Sequence, residues 1–122
     1  MKQPKTMMID DVKYIREDAV SQKAEGRDGM EFKIIRTYSA GVFAGYIEEQ
    51  DGKEVVIRDA VRIWSWSGAA SLSQLAVDGT NSPSNCKFAI AVDKIKVLEA
   101  IELLNVTQKA KDNILSVPSW KK

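Results

Sequence analysis

Arg62, Trp64 and Trp66 alternate within VRIWSWSGAASLSQLAV, residues 61–77. In an extended chain alternate side chains share a face. The spacing therefore lines up a guanidinium with two indoles, and Val61, Ile63 and Ser65 face the other way. Arg58 extends the same face further back. Arginine's planar fork suits phosphate oxygens, and aromatic rings stack on bases of any kind. Ser67, Gly68 and Ala69 then lead into a helix start, where backbone N–H groups favour an anion. Together these residues point to noncovalent capture of a phosphate-bearing small molecule. They also have a plainer reading, in which the tryptophans pack in a core or an interface and Arg62 reaches past them to water.

Other residues join this candidate site. Arg36 either adds charge from a neighbouring strand or lies on a solvated face. Asn85, Lys87 and Phe88 form a second cluster. An asparagine reads base edges, a lysine meets phosphate, and Phe88 either stacks on a base or fills the core. Ser71 and Gln74, on the exposed side of a short helix, offer hydroxyl and amide contacts.

Chemistry that makes or breaks bonds has little to work with. The chain carries no histidine and one cysteine, Cys86. Zinc sites and histidine acid–base catalysis are therefore not expected, and neither is a cofactor. No P-loop, dinucleotide fingerprint or metalloprotease motif occurs. The carboxylate pairs Asp10-Asp11 and Glu48-Glu49 are sequence neighbours that point apart. Eighteen basic residues against seventeen acidic ones give a net charge of +1, which argues against polymeric nucleic acid as a partner. No apolar run approaches the roughly twenty residues of a membrane span. The N-terminus does not read as a secretory signal, and a lone cysteine fits a reducing, intracellular setting.

The elements that must position these residues follow from spacing and punctuation. Residues 1–8 read as a flexible tail and residues 9–122 as one domain. Ile9, Val12, Ile15 and Ala19 predict a helix over 9–24, followed by a turn over 25–29. Strands are predicted over 32–38, 42–48 and 54–66, with Asp51-Gly52 as the hairpin turn between the last two. A short helix over 71–77 takes Ser71 or Ser67 as its cap. A polar loop spans 79–85, and Phe88, Ile90 and Val92 alternate as one strand. Residues 97–106 fit either a helix or a strand. The strand is preferred, because Thr107 caps a separate helix from Gln108 to about Leu115. The expected fold is α+β: a small curved antiparallel sheet with an N-terminal helix, a short central helix and a C-terminal helix.

RDAVRIWSWSGAASLSQLAVDG, CKFAIAV and IELLNVTQKAKDNILSVPSWK carry a resemblance that runs from about Asp10 to Lys121. The chain resembles a phage-encoded anti-defence family, the anti-Thoeris sponges that sequester cyclic ADP-ribose isomers. The resemblance implies binding of a signalling nucleotide of the glycocyclic ADP-ribose type, held intact so that the host effector never meets it. It implies no catalytic residue, and cyclic di- or trinucleotides as a second ligand class at separate sites. It also implies a dimer or a higher oligomer such as a hexamer, with pockets near subunit contacts, in the cytoplasm of the infected bacterium. Three rival functions are an inhibitor that binds a host defence protein directly, an enzyme that cleaves the signal, and a nucleic-acid-binding module.

Overall fold

The computed structural model describes residues 23–121. Six strands and two helices follow in the order β1 (Glu31–Thr37), β2 (Val42–Asp51), β3 (Glu54–Ser65), α1 (Leu72–Asp78), β4 (Lys87–Phe88), β5 (Val92–Val97), β6 (Ala100–Asn105) and α2 (Gln108–Ser116). A 3-10 turn at Pro83–Asn85 interrupts the polar loop. The strands form one sheet in the order β4-β3-β2-β1-β6, with β5 also on β3, and every strand-to-strand ladder is antiparallel.

The α+β expectation is corrected by this arrangement. The fold is dominated by its sheet, and only two helices, of seven and nine residues, lie among the described residues. The reason is that both faces of the sheet are buried, and the helices cover only one of them. Ile34 and Ile35 are adjacent, and both are fully buried. Ile34 packs under the helices with Ala44, Leu75 and Ile114, whereas Ile35 packs with Phe43, Ile57 and Val97 on the opposite face. That second face closes by curling. β5 and β6 sit on opposite edges, against β3 and β1, yet only Leu98 and Glu99 join them. The edges must therefore approach, and backbone bonds fix the junction: Tyr38 N donates to Glu99 O at 2.9 Å and Ala100 N to Lys53 O at 3.0 Å.

Local chemistry sets most boundaries. Asp51 pairs with Glu54 across Gly52-Lys53, and Gly52 supplies the positive φ such a tight turn needs. The Thr37–Gly41 turn is tied by Thr37, whose Oγ1 donates to Gly41 O at 2.7 Å and accepts from Ala40 N at 2.9 Å. Ser71 caps α1 by accepting from Gln74 N, and Thr107 caps α2 by accepting from Ala110 N. Residues 100–105 are the preferred strand. The single strand expected through Phe88, Ile90 and Val92 is two strands, β4 and β5. Phe88 pairs with Ile63 and Val92 with Ala60, which leaves one more residue on this side than β3 can match. Ile90 is exposed at the break. The helix expected over 9–24 falls outside the described residues except at Lys23, which forms a β-bridge to Thr107, and Ala24. The tail expected over 1–8 lies outside them entirely.

One irregularity in β3 governs the site. Tyr46 pairs with Arg58 and Ala44 with Val61, so β3 carries one extra residue opposite Gly45. Asp59 takes a φ of 51° at this bulge. A bulge turns the following side chains relative to those before it. Gly45 makes room, since a Cβ there would lie 2.5 Å from Ile57 Cγ2 and 2.9 Å from Arg58 O.

Candidate functional site

Arg58 and Arg62 lie on opposite faces of the sheet. Residues directly across an antiparallel ladder share a face. Arg58 is opposite Tyr46, in the helix-covered core, and Arg62 is opposite Phe43, in the curled core. The alternation that would place them together is reset at Asp59. Their surroundings differ as sharply. Arg58 Nη1 donates to Glu48 Oε1 at 3.1 Å, Nη2 to Asp93 Oδ1 at 3.2 Å and Nε to Asp93 O at 3.1 Å. Glu48 is held below the ordinary carboxylate range, chiefly by the Arg58 hydrogen bond, with Lys94 adding to the effect. Glu48 and then Asp93 raise Arg58 above its ordinary value. That guanidinium is committed.

Arg62 is exposed, and its Cζ lies 4.8 Å from the centre of the Phe43 ring. Among the described residues no carboxylate forms an ion pair with it. It lines a cleft of about 230 Å³ at the mouth of the curled core, with Phe43, Ile95 and Val97 as apolar wall and Thr37, Ser39 and Glu99 as polar rim. Lys96 also borders the cleft, but its ammonium meets Glu54 at 3.2 Å. Ser39 Oγ donates to Glu99 Oε1 at 2.6 Å.

The other expected site residues do not reach this cleft. Trp64 sits at the β3–β4 register shift with 65% of its surface exposed. Trp66 is half-buried against the helix-side core, and its Nε1 donates to Ala69 O at 3.3 Å. The Arg–Trp–Trp face is therefore not one surface. Ser67 N donates to Cys86 Sγ at 3.4 Å, and Ser67 O accepts from Thr80 Oγ1. Gly68, with a φ of 85°, is pressed against Thr80 and Asn81. Part of the helix start expected to hold an anion is already taken, because Ser71 Oγ accepts from Gln74 N and Gln74 Oε1 accepts from Ala70 N at 2.7 Å. Asn85 closes the 3-10 turn by donating its backbone N–H to Ser82 O at 3.0 Å. Lys87 Nζ lies 5.3 Å from the Trp120 ring centre. Phe88, 2% exposed, is core. Arg36 is spent on its cross-strand neighbour Glu102, at 2.9 Å.

A wider groove of about 390 Å³ runs between α1 and α2 and includes Gly68. Its polar atoms are largely taken. Asn113 accepts from Thr80 N and donates to Thr80 O, both at 2.8 Å, and Lys109 faces Asp78 at 3.7 Å. The smaller cleft has a guanidinium with no carboxylate partner among the described residues, so it is the better binding candidate.

Sequence reasoning missed Phe43, Thr37, Ser39 and Glu99. No local motif marks them: Thr37 and Ser39 lie at the β1–β2 turn, and Glu99 meets Arg62 only through the curl that joins β5 to β6. The β2–β3 hairpin register was the one available signal, since it carries Phe43 across from Arg62. Among the described residues no group of three or more histidine, cysteine, aspartate or glutamate side chains is placed to hold a metal. None of their helices is long and apolar enough to cross a membrane.

The fold and cleft thus define a sheet-dominated domain in which an arginine with no carboxylate partner among the described residues lies over an aromatic ring at the mouth of a curled core. The chain belongs to the family described as Domain of unknown function (DUF6948), whose profile matches residues 30–114. No curated protein and no solved structure matches it.

Proposed function

We propose that this protein binds and sequesters a cyclic ADP-ribose isomer of the glycocyclic type without cleaving it, and so blocks anti-phage immune signalling. The observation that carries the reading is Arg62, a guanidinium without a carboxylate partner among the described residues, stacked on Phe43 beside the Ser39 hydroxyl. Arg62 meets the diphosphate, and Ile95 and Leu98, the accessible apolar residues of the lining, take an apolar part of the ligand. Sequestration needs only affinity, which suits a cleft of this composition. Sites for drug-sized ligands typically measure about 300–1,000 Å³, so a cleft of about 230 Å³ encloses only part of a dinucleotide. A second protomer completes the enclosure, in line with the dimer or hexamer that the resemblance implies. Cyclic di- or trinucleotides are a second ligand class, and the site of action is the cytoplasm of the infected bacterium.

Calorimetry of the purified protein with cyclic ADP-ribose isomers tests the reading, followed by heat release and mass spectrometry of the bound nucleotide. Saturable binding with the ligand recovered intact supports sequestration. Recovery of altered products makes the protein an enzyme, and absence of binding removes the proposal. A second reading rests on Trp64, exposed away from the cleft. Tryptophan is enriched in interface hot spots, so Trp64 supports a protein–protein inhibitor that docks on a host defence protein. Loss of a co-purifying host protein on Trp64→Ala, with no nucleotide bound, would favour it.

A further inference from the structure

The cleft holds an anion as well as a cation, and the two do not neutralise each other. Glu99 lines the same space as Arg62, and no ion pair joins them. Glu99 belongs to the two-residue link between β5 and β6, whose backbone is tied to the Thr37–Gly41 turn through Tyr38 N. Its side chain is tied to the same turn, because Oε1 accepts from Ser39 Oγ. Thr37 holds the turn through two further hydrogen bonds. Glu99 is exposed, and its Oε2 has no hydrogen-bond partner among the described residues. A carboxylate accepts only, so whatever approaches Oε2 productively must donate.

Resting on the sequestration reading, we infer that Glu99 is the specificity-determining residue of this cleft, selecting a ribose phosphate with a free sugar hydroxyl over a bare polyphosphate. Arg62 takes the phosphate and Glu99 Oε2 accepts from the hydroxyl, while Ser39 positions Glu99 through Oε1. A ligand that is all acceptor, such as pyrophosphate, satisfies Arg62 but meets the Glu99 charge with its own. Both side chains are exposed, so the selection comes from the added charge-assisted hydrogen bond to Glu99 and from like-charge repulsion of a ligand that lacks the donor.

The test uses the full chain, calorimetry and two probes, cyclic ADP-ribose and inorganic pyrophosphate, with the wild type, Glu99→Gln and Ser39→Ala. The wild type is expected to prefer cyclic ADP-ribose by at least about tenfold, the scale of one hydrogen bond to a charged group. Glu99→Gln should weaken cyclic ADP-ribose by about tenfold or more and strengthen pyrophosphate. Ser39→Ala should weaken cyclic ADP-ribose by about threefold, because Glu99 loses its anchor. A damaged fold weakens both probes together, and a thermal melt of each variant identifies that case, so the crossed change belongs to Glu99 alone. If the wild type binds cyclic ADP-ribose and Glu99→Gln shifts both probes alike or neither, Glu99 is not the selector and the sequestration reading survives. If the wild type binds neither probe nor a glycocyclic ADP-ribose isomer, both readings fall.

Discussion

Two arginines four residues apart in one strand have opposite fates. Arg58 lies on the helix-covered face with every guanidinium nitrogen answered by Glu48 or Asp93. Arg62 lies on the curled face, stacked on Phe43, with no such answer among the described residues. What separates them is the single extra residue at Asp59. The contrast teaches that residue type and spacing do not make a site. The bulge decides which face a charge reaches, and the neighbours on that face decide whether the charge is still available.

The curled face depends on Phe43, so the largest expected effect is from Phe43→Ala. Truncating a fully buried phenylalanine typically costs about 3–5 kcal/mol, which denaturant unfolding would register. The same change removes the wall under Arg62. Next is the bulge itself. Gly45→Ala places a methyl against Ile57 Cγ2 and Arg58 O, and overpacking of this kind costs about 1–3 kcal/mol. A lowered Tm with cleft affinity reduced out of proportion would tie the bulge to the position of Arg62. An unchanged Tm would show that β2 accommodates the methyl freely.

The Arg58 side of the comparison is open to a pH test. Glu48 has a folded pKa below its ordinary value of 4.5, because Arg58 donates to it. Its contribution to stability is therefore present above pH 4.5 and is lost as the pH falls through the lower, folded value. Glu48→Gln should be less stable than the wild type near neutrality, and the gap should close on acidification below that point. Glu31 is lowered in the same way by Lys23 and Lys33, but it is present in both proteins and cancels in the difference. A gap that stays constant with pH would show that the Arg58–Glu48 pair does not contribute through charge. The smallest expected effect belongs to Trp64→Ala. Surface substitutions usually fall within about 0.5 kcal/mol, and nucleotide affinity should not change, since Trp64 is outside the cleft. A loss of affinity would return Trp64 to the site.

How much of this was legible in the sequence differs between the fold and the site. The Asp51-Gly52 hairpin, the caps at Ser71 and Thr107 and the preference for a strand near 97–106 rest on local chemistry, and each agrees with the structure. The sheet-dominated architecture was not legible. Ile34-Ile35 reads as an unpatterned apolar pair until both faces are known to be buried. The division of Phe88–Val92 was hidden because alternation is local, whereas the register mismatch involves β3. At the site, Arg62 was identified by its type and its strand. Trp66 and Phe88 were drawn into the site by the same logic, but helix-side packing claims them. Glu99 and Ser39 could not be found from spacing, since sixty residues separate them in the chain.

The most direct measurement sets the two arginines against each other: calorimetry of Arg58→Ala and Arg62→Ala with the same cyclic ADP-ribose isomer. Arg62→Ala should weaken binding by about tenfold or more, the scale of a charged hydrogen bond. Arg58→Ala should leave the affinity close to that of the wild type. Equal affinity in both variants, or a loss confined to Arg58→Ala, would contradict the assignment of the ligand to the curled face.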